Sequence, residues 1–495
     1  MKPKMNIFFL ALFCTLASCN KLLEVKPETF TSGSNYYKTE NQIRTAVNGA
    51  YSVLQNLNTS GNYWIFTEVR SDNTTYQYNP NNRCCITREQ VDEFLNTSTD
   101  RYTEAIWTIL FNGIQQCNVI LGRIEGVTFT DDAKKNQYIG EAKFLRGLLY
   151  FNLVRLFGGV PLRVEEVKGP GDAFTEERAS VEAVYAQIIQ DAMDAAEKLP
   201  ASYPGEAIGR ATKGAALTLL GDVYLTRKDY PNAIKFLQEV TGLGYQLVLE
   251  YADVFSPANK NNSESVFEVQ YNAGIQGENS NFFFNFGPFT AGLDLTGFQG
   301  QLGGLNIPTP DIINAYESGD KRKDASIGYY ANPNNNNAFE SFPGGSIPFI
   351  KKFYHPPFPN NGWTDENWPV YRYAHVLLML AEAMNEDNKT GGAHALLNMV
   401  RHRAGLSPLT GLSKEAFREA VYHEERVEMA FENQRWFDLL RTGRAIDVML
   451  AHGSEEKVRL NRVGAESYNV QEYMLVFPIP ASEVRLNGYN QNPNY

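Results

Sequence analysis

The chain has 495 residues, 43% of them hydrophobic, and a net charge of −11 from 45 basic and 56 acidic side chains. That length exceeds one usual core and calls for one large or two interlocked domains, with enough apolar residues to fill them. An acidic chain with dispersed Lys and Arg is a poor binder of nucleic acid.

The N-terminus reads MKPKMNIFFLALFCTLASCN. Lys2 and Lys4 precede an apolar run from Ile7 to Leu16, about half of the roughly 20 residues that a bilayer-spanning helix needs. Leu16-Ala17-Ser18 then leads into Cys19. Residues 1–18 therefore read as a secretory signal with a cleavage site, not as a membrane span. The tetrad resembles a bacterial lipobox, which implies that Cys19 carries a diacylglyceryl group and begins the mature protein, with 19–38 a lipidated tether. No later stretch is long and apolar enough to span a bilayer. Of five cysteines, Cys14 leaves with the signal, and Cys84, Cys85 and Cys117 remain. Either of the adjacent pair could bridge to Cys117 in an oxidising compartment, or no bridge forms.

Residues 39–243 carry helical periodicity and form an N-terminal scaffold. A helix starts near Thr39, with Ile43, Val47, Ala50, Val53 and Leu54 recurring at helical spacing. The period is lost over 58–98, a long polar loop, and returns at Tyr102–Ile124. Ile139–Phe157 is the clearest helix: Leu145, Leu148, Leu149, Asn152, Leu153 and Leu156 share one face, and Gly158-Gly159 with Pro161 stop it. Further helices are expected at Ser180–Leu199, Arg210–Lys228 and Tyr230–Thr241. From 244 to 369 the chain turns rich in Gly, Asn, Pro and Phe, an irregular elaboration in which Tyr329–Pro369 reads as exposed loop. Helical pairs return over 370–495, at Val370–Glu386, Ala393–Ala404 and Lys414–Leu440.

Two stretches repeat one another. Leu220-Gly221, Tyr224, Ala233 and Leu237 align with Leu380-Ala381, Met384, Ala393 and Leu397. Small residues where helices cross and larger ones beside them are the layout of a tetratricopeptide helix pair. The fold expected is mainly α: a tetratricopeptide-like scaffold of helical pairs with a large loop-rich insertion.

Motifs of catalysis are missing. His423-Glu424-Glu425-Arg426-Val427 begins like a zinc-protease helix, but position 427 is not the second histidine. The histidines form no ligand cluster, no Gly-x-Ser-x-Gly elbow is present, and Cys84-Cys85 with Cys117 lack the spacing of a metal knuckle. The spacings among Glu425, Arg426, Glu428, Glu432, Arg435, Asp438 and Arg441 make them neighbours on a helix, read as structural ion pairs and caps.

Several segments together resemble the SusD/RagB family of outer-membrane nutrient-binding lipoproteins. They are Tyr36–Glu40 with Ala46–Tyr51; Glu141–Arg146 running through Tyr150-Phe151 to Leu156–Leu162; Arg372–Ala374; Leu380–Ala383; Val400–Leu406; Glu424–Arg426 with Arg435–Leu439 and Arg441–Gly443; and Pro478–Pro480 through Asn492-Pro493. The resemblance implies a non-enzymatic, cell-surface lipoprotein of polysaccharide utilisation, anchored to the outer membrane by its lipid and facing the exterior. It implies an oligosaccharide ligand and a SusC-like TonB-dependent transporter as partner, with no cofactor. Peptide capture, glycan hydrolysis and a pure assembly scaffold remain open alternatives.

Sugars present apolar C–H faces and hydroxyl edges, so a binding face needs flat aromatics and polar side chains. Trp64, Asp72, Asn73, Tyr76 and Tyr78 supply both in one loop, which in the resembled family borders the ligand face. Trp363, beside Asn360, Asn361 and Asp365, is a further candidate. The cluster Phe282, Phe283, Phe284 and Phe286 lacks polar handles and suits packing or transporter contact.

Overall fold

The computed structural model describes residues 36–78, 86–173, 177–331 and 346–495; Cys14, Cys19, Cys84 and Cys85 lie outside these, and Cys117 is a buried free thiol. The main helices are α1 (Glu40–Asn58), α2 (Arg101–Arg123), α3 (Asp132–Phe157), α4 (Val181–Lys198), α5 (Lys213–Thr226) and α6 (Tyr230–Thr241). After the elaboration come α7 (Tyr373–Glu386), α8 (Thr390–Arg403), α9 (Lys414–Glu428), α10 (Arg435–Thr442) and α11 (Ala445–Arg459).

Local chemistry sets the helix starts. The Thr39 side chain accepts from the Gln42 amide while the Gln42 side chain accepts from the Thr39 amide, a closed capping box. Asp100, Asp131, Ser180, Thr212 and Ser413 each cap their helices with a side-chain oxygen. Gly158 ends α3 at φ 73°, its amide donating to the Val154 carbonyl.

Each helix packs on the next from α1 through α6; α7 lies against α5 and α6, and α8 and α9 close over α7. Gly221 permits the α5–α6 crossing, since a Cβ there would lie 2.4 Å from Leu237 Cδ2. Ala381 and Ala393 are fully buried in the matching pair, α7 and α8. These are the expected tetratricopeptide-like pairs. The single stripe expected on α3 is replaced by burial nearly all round from Phe144 to Phe157, because α1, α2, α4 and α5 all pack against it.

The elaboration is more ordered than its composition suggests. Short antiparallel strands pair as β1 (Thr74–Thr75) with β3 (Ile307–Pro308), β2 (Ser265–Val269) with β6 (Trp368–Arg372), and β4 (Ile327–Ala331) with β5 (Ser346–Ile350). The exposed loop expected over Tyr329–Pro369 therefore contains strands. Phe349 and Phe358 join Phe283 and Tyr330 in a second small core, while Phe353 and Trp368 sit in the main one. Residues 332–345 lie outside the described residues; in the rest of the stretch Tyr330, Phe349, Phe353, Phe358 and Trp368 are buried, whereas Tyr329 is exposed.

The helix expected over Lys414–Leu440 is split after Glu428. Phe431 and Asn433 adopt left-handed backbone, φ 69° and 66°. The Asn433 amide donates to Glu68 Oε1 at 2.7 Å, and its side-chain carbonyl accepts from the Thr67 hydroxyl at 2.9 Å, so a distant loop holds the break open.

The ion-pair expectation for this region holds in kind, but most partners are remote. Glu428 accepts from Arg372 at 2.9 Å, Arg403 at 2.5 Å and Arg322 at 3.1 Å; Glu432 accepts from Arg372 at 2.7 Å and Lys352 at 2.6 Å. These groups are buried, and they bolt the elaboration to the C-terminal helices. Within the expected set, Arg441 pairs with its own-helix neighbour Asp438 at 2.9 Å, and also with Glu425 at 2.7 Å.

Candidate functional site

The loop singled out by its aromatic and polar mixture folds inward. It opens with a π-helical turn over Ile65–Val69, and residues 61–77 are buried. Trp64 is fully buried, edge-on to Phe286 at 5.1 Å between ring centroids. Asp72 is held by Arg435 and by Arg426, the latter at 2.8 Å. Asn73 Oδ1 accepts from Arg426 Nε at 2.9 Å, and the Asn73 carbonyl accepts from the Thr309 amide at 3.0 Å. The Tyr76 hydroxyl donates to Glu93 at 2.6 Å and accepts from Arg462. Ligand contact by Trp64, Asp72, Asn73 and Tyr76 is thus corrected. Each is buried against internal partners: Asp72 and Asn73 tie the loop to α9, α10 and Thr309 after β3, Tyr76 to Glu93 and Arg462, and Trp64 to Phe286. A buried polar junction and a sugar site call for the same residue types.

Burial by itself raises the Asp72 pKa, but Arg435 and Arg426 outweigh it and hold the carboxyl well below the usual range. Two nearby acids go the other way. Burial pushes Glu68 and Asp92 up to about 8.

Tyr78 and Trp363 are half-buried and keep open surface. Both border the Phe-rich segment of the elaboration. Beside Tyr78, the Gln77 amide donates to the Gly304 carbonyl at 2.6 Å, and Gln77 Oε1 accepts from the Phe289 amide at 2.9 Å. Beside Trp363, Thr364 and Ser280 exchange backbone hydrogen bonds at 2.8 and 3.0 Å, and Asp365 pairs with Lys260 at 2.9 Å. Between them, Phe282, Phe283 and Phe286 are buried, so this cluster packs. Asn360 and Asn361 are exposed next to Trp363. The Arg462 guanidinium lies 4.3 Å from the Tyr76 ring centroid and 5.2 Å from that of Tyr78. Arg462 was not among the residues expected from sequence, because it follows α11 in a stretch without periodicity, nearly the whole chain away from the rings it covers.

Half-exposed rings on a rigid base, with exposed amides alongside, can stack on apolar faces and bond hydroxyl edges. Among the described residues no group of three or more His, Cys, Asp or Glu could hold a metal ion. A frame of helical pairs thus carries an irregular elaboration, as the sequence led one to expect.

Comparison with known proteins agrees. The SusD family profile matches residues 263–495, and that of a family described as starch-binding and associating with the outer membrane matches residues 21–225. The chain belongs to the SusD/RagB family of glycan-binding proteins. It is 26% identical to SusD-like protein P25 of Formosa agariphila, over 98% of this chain and 97% of that protein. Over 34% of this chain and 30% of the relative it is 29% identical to the starch-binding protein SusD of Bacteroides thetaiotaomicron. A solved laminarin-binding SusD-like protein superposes with a TM-score of 0.77 at 28% identity, covering 93% of this chain and all of that one. Among the described residues no helix is long and apolar enough to cross a membrane.

Proposed function

We propose that this protein is a lipid-anchored, non-enzymatic glycan receptor of the outer-membrane surface. It captures an oligosaccharide on the face bordered by Tyr78 and Trp363 and delivers it to a SusC-like TonB-dependent transporter. The observation that carries the proposal is the near full-length likeness to a laminarin-binding protein of the same family. The half-exposed rings of Tyr78 and Trp363, with Asn360 and Asn361, supply the stacking and edge-bonding groups that a saccharide needs. Cys19, after Leu16-Ala17-Ser18, supplies the anchor.

Titration of the mature chain against laminarin- and starch-derived oligosaccharides, with product analysis on the same samples, tests the proposal. Saturable binding without cleavage supports it. Cleavage would make the protein a hydrolase. Peptide binding in place of glycan binding would make it a peptide receptor.

A further inference from the structure

Asn-Gly occurs in the chain at positions 48, 112, 361 and 487. This dipeptide is prone to spontaneous deamidation, because glycine has no side chain to shield its amide nitrogen. That nitrogen must reach the asparagine Cγ, so the surrounding backbone decides whether a given pair reacts.

The other pairs are restrained. Asn48-Gly49 and Asn112-Gly113 lie inside α1 and α2, where the glycine amide belongs to the helical ladder. Asn48 Oδ1 also accepts from Arg210, and Gly113 is buried. Asn487 Nδ2 donates to Glu483 at 2.8 Å, and the Gly488 amide donates to the Val484 carbonyl at 3.0 Å.

Asn361-Gly362 escapes these restraints. The Trp363 amide donates to the Asn360 carbonyl at 3.1 Å and closes a turn. Gly362 stands in it at φ 82°, the left-handed backbone that the third residue of a type II turn requires. Asn361 is exposed, and neither its side chain nor the Gly362 amide has a hydrogen-bond partner among the described residues. Nothing lies within 4 Å of the place where a Gly362 Cβ would stand, so the turn has room to change shape. Just beyond it the chain is fixed. Thr364 and Ser280 exchange backbone hydrogen bonds and also join through their hydroxyls at 2.8 Å.

We infer that Asn361 is a site of spontaneous deamidation, and that this modification weakens glycan binding. The Gly362 nitrogen bonds to Asn361 Cγ and gives up its proton, and the side-chain nitrogen leaves with that proton as ammonia. The succinimide ring so formed is opened by water at either carbonyl, which leaves aspartate or isoaspartate. Both products replace an amide donor with a carboxylate beside Trp363. Isoaspartate also adds a methylene to the main chain, and because Thr364 is fixed, the shift falls on the Trp363 ring. The effect on binding rests on the glycan-binding reading above; the chemistry does not.

The test incubates the full mature chain, folded and in urea, in mildly alkaline buffer. Peptides are then mapped by mass spectrometry with isoaspartate labelling. In the folded chain Asn361 should accumulate the acid forms well ahead of Asn48, Asn112 and Asn487. In urea all of these positions should react at similar rates. The inference is overturned if folded Asn361 stays intact, or if the helical pairs react as fast as it does. Asn361→Asp, the aspartate product, is titrated with laminarihexaose and maltohexaose. Its affinity should be about three- to tenfold below that of the wild type, the worth of one hydrogen bond. On ageing, the wild type should lose affinity, whereas Asn361→Gln should bind as it did when fresh. An Asn361→Asp variant that binds like the wild type would overturn the functional half. If the wild type binds neither probe, the glycan reading fails, and the peptide map alone decides the modification.

Discussion

Arg435 grips Asp72 through two hydrogen bonds, Nε to Oδ1 at 2.8 Å and Nη2 to Oδ2 at 2.9 Å, across 363 residues of sequence. With Arg426 on the same carboxylate, one aspartate holds a buried loop against two C-terminal elements. Asp72→Ala leaves two largely buried guanidinium groups without it and is expected to cost about 3–5 kcal/mol. A depressed carboxyl stabilises the fold above its unfolded pKa and loses that contribution as pH falls through the folded value. The penalty should therefore be largest at neutral pH and shrink in acid. Urea unfolding at several pH values measures it, and a cost under about 0.5 kcal/mol, typical of surface sites, would refute the keystone role.

Glu68 gives a pH dependence of opposite sign. Its Oε1 accepts from the Asn433 amide at 2.7 Å, its Oε2 is buried without a partner, and burial pushes its pKa to about 8. Below the ordinary glutamate value both folded and unfolded chains hold the proton. As pH rises from there to about 8, only the unfolded chain releases it, so stability is lost across that window. Glu68→Gln removes the titration. The stability of Glu68→Gln relative to wild type should rise from pH 5 to pH 8; a difference that stays flat with pH would mean that Glu68 is ionised in the fold.

Gly221→Ala sets two effects against each other. Alanine gains about 1 kcal/mol over glycine in a helix interior. Here its Cβ would lie 2.4 Å from Leu237 Cδ2, and overpacking typically costs about 1–3 kcal/mol. Net destabilisation is expected in thermal or denaturant unfolding. Stabilisation would mean that the α5–α6 crossing can spread at no cost.

Trp64 and Trp363 should separate stability from binding. Trp64→Ala empties a fully buried site and is expected to cost about 3–5 kcal/mol of stability. Trp363→Ala should leave stability within about 0.5 kcal/mol while costing about 2 kcal/mol or more of glycan affinity, if the ring is a central anchor. Unfolding curves and titrations on both variants decide the matter. Unchanged glycan binding by folded Trp363→Ala would remove it from the ligand face.

Cys19→Ala is expected to move the protein from the membrane to the soluble fraction, because the lipobox-like Leu16-Ala17-Ser18-Cys19 is the attachment proposed here. Multiple acyl chains anchor stably where one chain does not. Retention of the variant on membranes after a high-salt wash would place the attachment elsewhere.

Much of the frame was legible along the chain. Thr39 and Ser180 announced helix starts, Gly158-Gly159 announced a stop, and Gly221 with Ala233 announced a helix crossing. Caps, periodicity and left-handed glycines act over a few residues, so one sequence contains both the cause and the partner. The family signature was legible for a similar reason, being composed of short local segments.

The interior of the loop around Trp64 was not legible, nor were the break between α9 and α10, the burial of Phe349 and Phe358, or the cover of Arg462 over Tyr76 and Tyr78. In each case the deciding partner lies far along the chain: Arg435 for Asp72, Glu68 for Asn433, Phe283 for Phe358. Residue type says that a group can stack or hydrogen-bond, and that capacity is the same toward a ligand or toward the protein's own interior. Only the tertiary arrangement decides which of the two desolvates it, and here it turned Trp64 inward and left Tyr78 and Trp363 at the surface.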